Sequence, residues 1–260
     1  YLMTLHYSDN LTADFIFQEH LKFNEFFAEI KAYYHKKNKI TGKIKIGYIS
    51  ADFRQHVMFY FYHQLLACYD NSKFEVTCYC LNQPDVITEY IKTLVDHWRV
   101  LNNLEHNEAA KIIYQDKLDI LIDLSGHSAN NALGILAYKP AGIQISGLGY
   151  FNTTGLKAVD YFISDKYLEP TANQQYFTEQ LLVLDGSQFC YTGQSNIVES
   201  NEAPCKSNGY ITFGSFNNYA KLSDDVLLLW LEILYRVPQA KLLIKTQVAA
   251  NDSGVNFINE

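Results

Sequence analysis

The chain has 260 residues, 48% of them hydrophobic and 19% charged, with a formal net charge of −7. This composition belongs to a folded globular protein, at a length that suits one large domain or two smaller ones. The acidic balance argues against a general nucleic-acid binder, which carries a basic face, and no apolar run approaches the length of a membrane span; neither nucleic acid nor membrane is an expected partner.

The N-terminus, Tyr1-Leu2-Met3-Thr4, lacks a signal-peptide layout and does not begin with Met, so it reads as a cut in a longer protein or a processed end. Five cysteines occur without a CxxC. Cys78 and Cys80, two apart in a strand-like run, read as reduced, buried small hydrophobes rather than metal ligands, which fits a cytoplasmic location.

Residues 10–38 read as a helix. Asn10 or Thr12 can cap its start, Phe15, Ile16, His20, Phe23, Phe26, Phe27 and Ile30 recur at spacings of three and four, and His35, Lys36, Lys37 and Lys39 complement the dipole at its end. Strands and helices then alternate: strand 43–50, helix 56–69, strand 74–81, helix 85–98, helix 107–115, strand 118–124, and strands 143–148, 161–164 and 180–184. Such alternation implies right-handed βαβ units, hence an α/β fold with a Rossmann-like, doubly wound parallel sheet over residues 41–190. Ligands of such sheets collect at the C-terminal ends of the strands. Residues 1–40 form a helical linker. Residues 191–209, polar and holding Pro204 and Gly209, read as a second linker. The pattern restarts with strand 210–213, helix 224–236 and strand 241–245, the start of a second Rossmann-like domain over 210–260 that is incomplete; the tail, 246–260, adds at most one element.

Four loops carry candidate chemistry. His56 lies just past the first strand, where it can act as a base or pair with a phosphate, or be a polar loop histidine without a task. After strand 118–124, Gly126 permits a tight turn, and His127, Asn130 and Asn131 add donors and acceptors; the plain alternative is a loop of small residues. The run from Gly147 to Gly155 (GLGYFNTTG) suits backbone cradling of a sugar or phosphate, but it is not GxGxxG and does not indicate NAD. Asn218 and Lys221 follow a strand, where a lysine can neutralise a diphosphate leaving group, or be a solvated turn lysine; the spacing is not that of a P-loop.

The segments KIKIGYISADFRQH, DILIDLSGHSANNALGILAYKPAGIQISGLGYFNTTGLKAVDYFISD and ITFGSFNNYAKLSDDVLLLWLEILYRVPQAKLLIK together resemble the catalytic region of the O-linked N-acetylglucosamine transferase and SPINDLY family, glycosyltransferase family 41, in wording closer to SPINDLY and its bacterial relatives. The opening YLMTLHYSDNLTADFIFQEH resembles the linker that follows a tetratricopeptide region, which the resemblance places upstream. It implies a GT-B arrangement of two Rossmann-like domains. It implies transfer of N-acetylglucosamine from UDP-N-acetylglucosamine to Ser or Thr of a protein or peptide acceptor, with no metal and no cofactor, the nucleotide sugar being a substrate. His56 and Lys221 become catalytic, His56 near the acceptor and Lys221 at the leaving phosphate. Gly126, His127, Leu148, Gly149, Tyr150 and Asn218 join Lys221 around the donor.

Departures from the pattern are Val57, Ala132, Gly147 and Phe151, where relatives commonly carry Pro, Arg, Trp and Pro, so the wall beside the sugar differs in shape. Two further readings are O-fucosyl transfer from GDP-fucose and a non-catalytic peptide-binding module, which the aromatic helix around residues 58–62 would serve if it is not simply packed on the sheet. With the second domain incomplete, the isolated chain is expected not to turn over.

Overall fold

The computed structural model describes residues 1–36, 41–168, 171–193 and 201–250. The chain divides into two compact units, Tyr1–Leu5 with Leu11–Gly193, and His6–Asn10 with Gln194–Glu260. In the first unit the elements run α1 (Leu2–Leu5), α2 (Ala13–Phe23), β1 (Ile44–Ser50), α3 (Phe59–Ala67), β2 (Phe74–Cys80), α4 (Val86–Lys92), β3 (His97–Val100), α5 (His106–Asp116), β4 (Ile120–Asp123), α6 (Leu133–Leu136), β5 (Ile143–Ser146), β6 (Tyr161–Asp165) and β7 (Gln180–Leu184). The strands form one sheet in the order β3-β2-β1-β4-β5-β6-β7, every neighbouring pair parallel. This is the α/β, Rossmann-like arrangement that the alternation implies.

The sheet is covered on both faces, which is why β4 at its centre is a nearly continuous apolar run. One buried cluster holds Ile49, Tyr79, Ile113, Leu121, Leu133 and Leu136. The other holds Tyr48, Phe53, Tyr62, Leu66, Cys78 and Cys80. Each fully buried Leu or Ile contributes about 1.5–3 kcal/mol relative to exposure. Tyr62 and Leu66 put α3 against the sheet, so the aromatic helix is a packing element on that face. All five cysteines are free; Cys78 and Cys80 are buried, Cys190 is half-buried, and Cys68 and Cys205 are exposed.

Three elements differ from the sequence expectation. The helix expected over 10–38 is only α2, capped by Thr12, whose side chain accepts the Phe15 N–H at 3.2 Å, with a 3-10 turn at Asn24–Phe27. Beyond it the chain is extended over α5 and α6. Tyr33 N–H donates to the Tyr138 carbonyl at 2.8 Å, and the Tyr33 ring stacks on Tyr114 at 4.2 Å, so tertiary partners override the helical spacing. Lys37 and Lys39 lie outside the described residues. The helix expected over 85–98 stops at Lys92, and β3 follows. The Asp96 side chain accepts the Val76 N–H at 2.8 Å while its own N–H donates to the Val76 carbonyl, which turns the chain onto the edge of β2. A short α6 occupies 133–136, where no element was expected.

The second unit holds α7 (Pro204–Asn208), β8 (Thr212–Ser215), α8 (Asp224–Arg236) and β9 (Lys241–Ile244), with β8 and β9 parallel. Part of the expected 191–209 linker is therefore helical, started by Pro204 and ended by Gly209 at φ 74°; residues 194–200 lie outside the described set. Within the expected tail, Gln247–Ala250 forms a 3-10 turn, and 251–260 are not among the described residues. No described helix is long and apolar enough to cross a membrane.

Candidate functional site

Past the end of β1 the chain is held from inside: the Asp52 N–H donates to Ser50 Oγ at 2.9 Å, and the Tyr62 hydroxyl donates to the Asp52 carbonyl at 2.8 Å. The largely buried Asp52 carboxylate reaches two cations or potential cations with one oxygen, Arg54 Nη2 at 3.5 Å and His56 Nδ1 at 3.6 Å. The Met58 N–H also points at His56 Nδ1, at 3.3 Å. Two partners thus compete for Nδ1, one a donor and one an acceptor. With the proton on Nδ1 and facing Asp52, the Nε2 lone pair is the basic position of a half-exposed imidazole, the arrangement a general base needs. The turn is fixed from the other side by Asp85, which accepts the Gln55 N–H at 2.7 Å while capping α4 through Thr88.

At the end of β4, the neighbour of β1, Asp123 is fully buried. It accepts the Ser125 N–H at 3.2 Å, the Gly126 N–H at 2.8 Å and the Ser146 hydroxyl at 2.8 Å. Burial raises its pKa above the usual carboxylate value, and the three hydrogen bonds pull the other way. Gly126 adopts φ +51°, and a Cβ there would fall 2.4 Å from Tyr150 Cβ. The glycine is required both by the left-handed turn and by the close approach of the tyrosine.

His127 Nε2 donates to the Thr154 carbonyl at 2.8 Å, and its ring meets Phe23, His20 and Tyr150 edge-on. The buried His20 donates from Nδ1 to the Ile16 carbonyl at 2.7 Å, which leaves Nε2 to accept the Tyr150 hydroxyl at 2.6 Å in the neutral ring. Burial pushes the Tyr150 hydroxyl pKa upward.

In the run after β5, Leu148 (φ 71°) and Tyr150 are buried. A Cβ on Gly149 would fall 2.2 Å from the Leu124 carbonyl oxygen. The Thr153 and Thr154 hydroxyls donate to the buried Glu179, which also accepts the Thr154 N–H at 2.8 Å. The hydroxyls of this run are therefore engaged internally, and the half-exposed Gly149 backbone is what it offers a ligand.

The sheet thus gathers Gly126, His127, Gly149 and Tyr150 into one packed cluster at the end of β4, with His56 past the end of the adjacent strand. Asn218 and Lys221 belong to the second unit. There Asn218 Oδ1 accepts the Ala220 N–H at 3.2 Å and caps a 3-10 turn, Tyr219–Lys221, on which the Lys221 ammonium is exposed. Sequence reasoning missed Asp52, Asp123, Glu179 and His20. Asp52, four residues before His56, and Asp123, three before Gly126, leave a local trace; His20 and Tyr150 are 130 positions apart. Among the described residues no group of three or more His, Cys, Asp or Glu is placed to hold a metal ion.

A wholly parallel sheet whose order turns back at β1, with polar turns gathered past the ends of β1 and β4, defines a Rossmann-like ligand-binding domain. The family described as glycosyl transferase family 41 matches residues 26–199, and the chain belongs to it. Among similar proteins is the probable UDP-N-acetylglucosamine–peptide N-acetylglucosaminyltransferase SPINDLY of Petunia hybrida, 33% identical over 97% of this chain and 28% of that protein. The protein so described from Oryza sativa subsp. japonica is 35% identical over the same shares. The structure of a K341M mutant of Thermobaculum terrenum O-GlcNAc transferase superposes with a TM-score of 0.91 at 26% identity, covering 99% of this chain and 49% of that one. The chain thus spans under a third of the length of these curated relatives and about half of the solved transferase.

Proposed function

We propose that the chain is part of the catalytic region of a protein O-glycosyltransferase that moves N-acetylglucosamine from UDP-N-acetylglucosamine to Ser or Thr of a protein acceptor. The observation that carries this is the match to the Thermobaculum enzyme over nearly the whole chain. The names of the plant relatives favour UDP-N-acetylglucosamine as donor over GDP-fucose.

In this reading the acceptor oxygen bonds to the anomeric carbon of the sugar as the bond from that carbon to the diphosphate oxygen breaks. His56, backed by Asp52, takes the hydroxyl proton. The Gly126–His127 turn and the Gly149 backbone shape the sugar side, with Leu148 and Tyr150 supporting them from within. Asn218 and the exposed Lys221 meet the diphosphate, and the ammonium stabilises the charge that develops on the leaving phosphate. No cofactor enters this scheme. Five free cysteines support a reducing, cytoplasmic setting.

The test is transfer of labelled N-acetylglucosamine to a Ser/Thr peptide by the protein that carries this chain, with His56→Ala and Lys221→Ala each changed alone. Losing a positioned base lowers kcat by about 100-fold or more. Wild-type rates in both variants would remove His56 and Lys221 from the chemistry; no transfer by the unaltered protein, with peptide binding retained in both variants, would leave a binding module instead.

A further inference from the structure

A polar cleft of about 500 Å³ opens in the first unit past the ends of β1, β2 and β3, above an apolar floor that includes Leu101 and Ile135. Its walls include Arg54, Gln83, Asn102, Asn103 and Asn130, and none of the lining residues is Asp or Glu, although the chain is acidic as a whole. Asn103 and Asn130 occupy left-handed backbone, at φ 64° and 57°, a conformation that asparagine tolerates better than most residues. Two other lining amides, Asn82 and Asn131, are spent on their own loops: Asn82 Nδ2 donates to the Gln83 carbonyl at 2.7 Å and Asn131 Nδ2 to the Ser128 carbonyl at 2.9 Å. The side chains of Gln83, Asn102, Asn103 and Asn130 carry no hydrogen bond to another described residue, so four amides face the cleft unspent.

A carboxamide presents a donor and an acceptor side by side, as a peptide unit does, so a row of unspent amides complements an extended backbone. Arg54 is the cation of the cleft, and its planar guanidinium fits a carboxylate. Arg54 also shares Asp52 with His56, so this wall of the cleft adjoins the candidate base.

From these features we infer that the cleft binds an extended, acidic polypeptide segment, with a carboxylate of that segment on Arg54 and its backbone on the amides. Its identity as the stretch flanking the modified hydroxyl rests on the transferase reading above; the binding itself does not.

The test uses fluorescently labelled peptides in which Ala replaces every Ser and Thr, so that no transfer can occur. One peptide carries Asp and Glu, and a matched one carries Lys at those positions. Fluorescence polarisation with the whole chain is expected to show the acidic peptide binding about fivefold more tightly, the size of a single solvent-exposed ion pair. Arg54→Gln removes that preference. The double change Gln83→Ala with Asn102→Ala weakens both peptides by a similar factor while the thermal midpoint stays put. Equal affinity for the two peptides, a preference that survives Arg54→Gln, or no binding of either peptide overturns the proposal. Peptide binding of the expected kind in a protein that transfers no sugar leaves the cleft standing and removes the transferase reading; sugar transfer without the Arg54-dependent preference removes the cleft alone.

Discussion

A methyl group at position 126 would meet Tyr150 Cβ at 2.4 Å on a backbone already at φ +51°. Left-handed backbone costs a non-glycine residue about 1–2 kcal/mol, and overpacking adds about 1–3 kcal/mol. Gly126→Ala is therefore expected to lower the unfolding free energy by about 3 kcal/mol in urea titrations, and a change within experimental error would show that the turn yields freely. Asp123 beneath it gives a pH signature. Its pKa is raised in the folded state, so the folded protein holds this proton more tightly than the unfolded chain. The resulting stabilisation is complete below the unfolded Asp value, about 4, and is lost as pH rises through the folded value. Asp123→Asn lacks this titration, so the stability difference between it and the parent should shift across the acid range and flatten above it; a pH-independent difference would refute the assignment. Gly126 and His56 were visible from sequence because each follows an obvious strand. Glu179 was not, because its hydroxyl partners Thr153 and Thr154 lie 26 and 25 residues away and nothing near residue 179 hints at them.

Helix α4 does more than cover the sheet. Its capping Asp85 holds the Thr88 N–H at 2.9 Å and the Gln55 N–H at 2.7 Å, so the start of one element anchors the turn that carries His56. Asp85→Ala is expected to cost about 1 kcal/mol as a lost cap and to speed hydrogen exchange at the Gln55 amide. Unchanged protection at Gln55 would mean that the turn stands without α4. The strand β4 was legible as a near-continuous apolar run, β1 from Ile44, Ile46 and Tyr48 on one face, and β2 as a run rich in strand-forming residues. β3 was not, because HWRV is short, lies at the edge and is mostly exposed; what makes it a strand is the Asp96–Val76 pairing, twenty residues apart. The stretch 28–36 misled for the opposite reason: Ile30 continues the helical spacing and His35 and Lys36 suit a helix end, yet the Tyr33 N–H and His35 Nε2 donate to the Tyr138 and Lys139 carbonyls.

At the level of the whole molecule the two units are built differently. The first has two buried clusters. In the second, among the described residues, no hydrophobic side chain is buried, and on α8 Leu228, Leu229 and Leu231 are 63%, 56% and 61% exposed. Protection against exchange follows burial and local packing. Amides of α8 and β9 should therefore exchange far faster than those of β1 and β4, and equal protection would contradict this picture of the second unit. The cysteines divide along similar lines. Cys68 and Cys205 stand in solvent, one in each unit, while burial both hides Cys78 and Cys80 and pushes their thiols up, away from the reactive thiolate. A brief pulse of a thiol-modifying reagent should thus mark two positions at once and leave β2 silent. Apart from the half-buried Cys190, which reacts at its own pace, the slow arrival of marks on Cys78 and Cys80 would then clock how often the β2 side of the sheet comes apart.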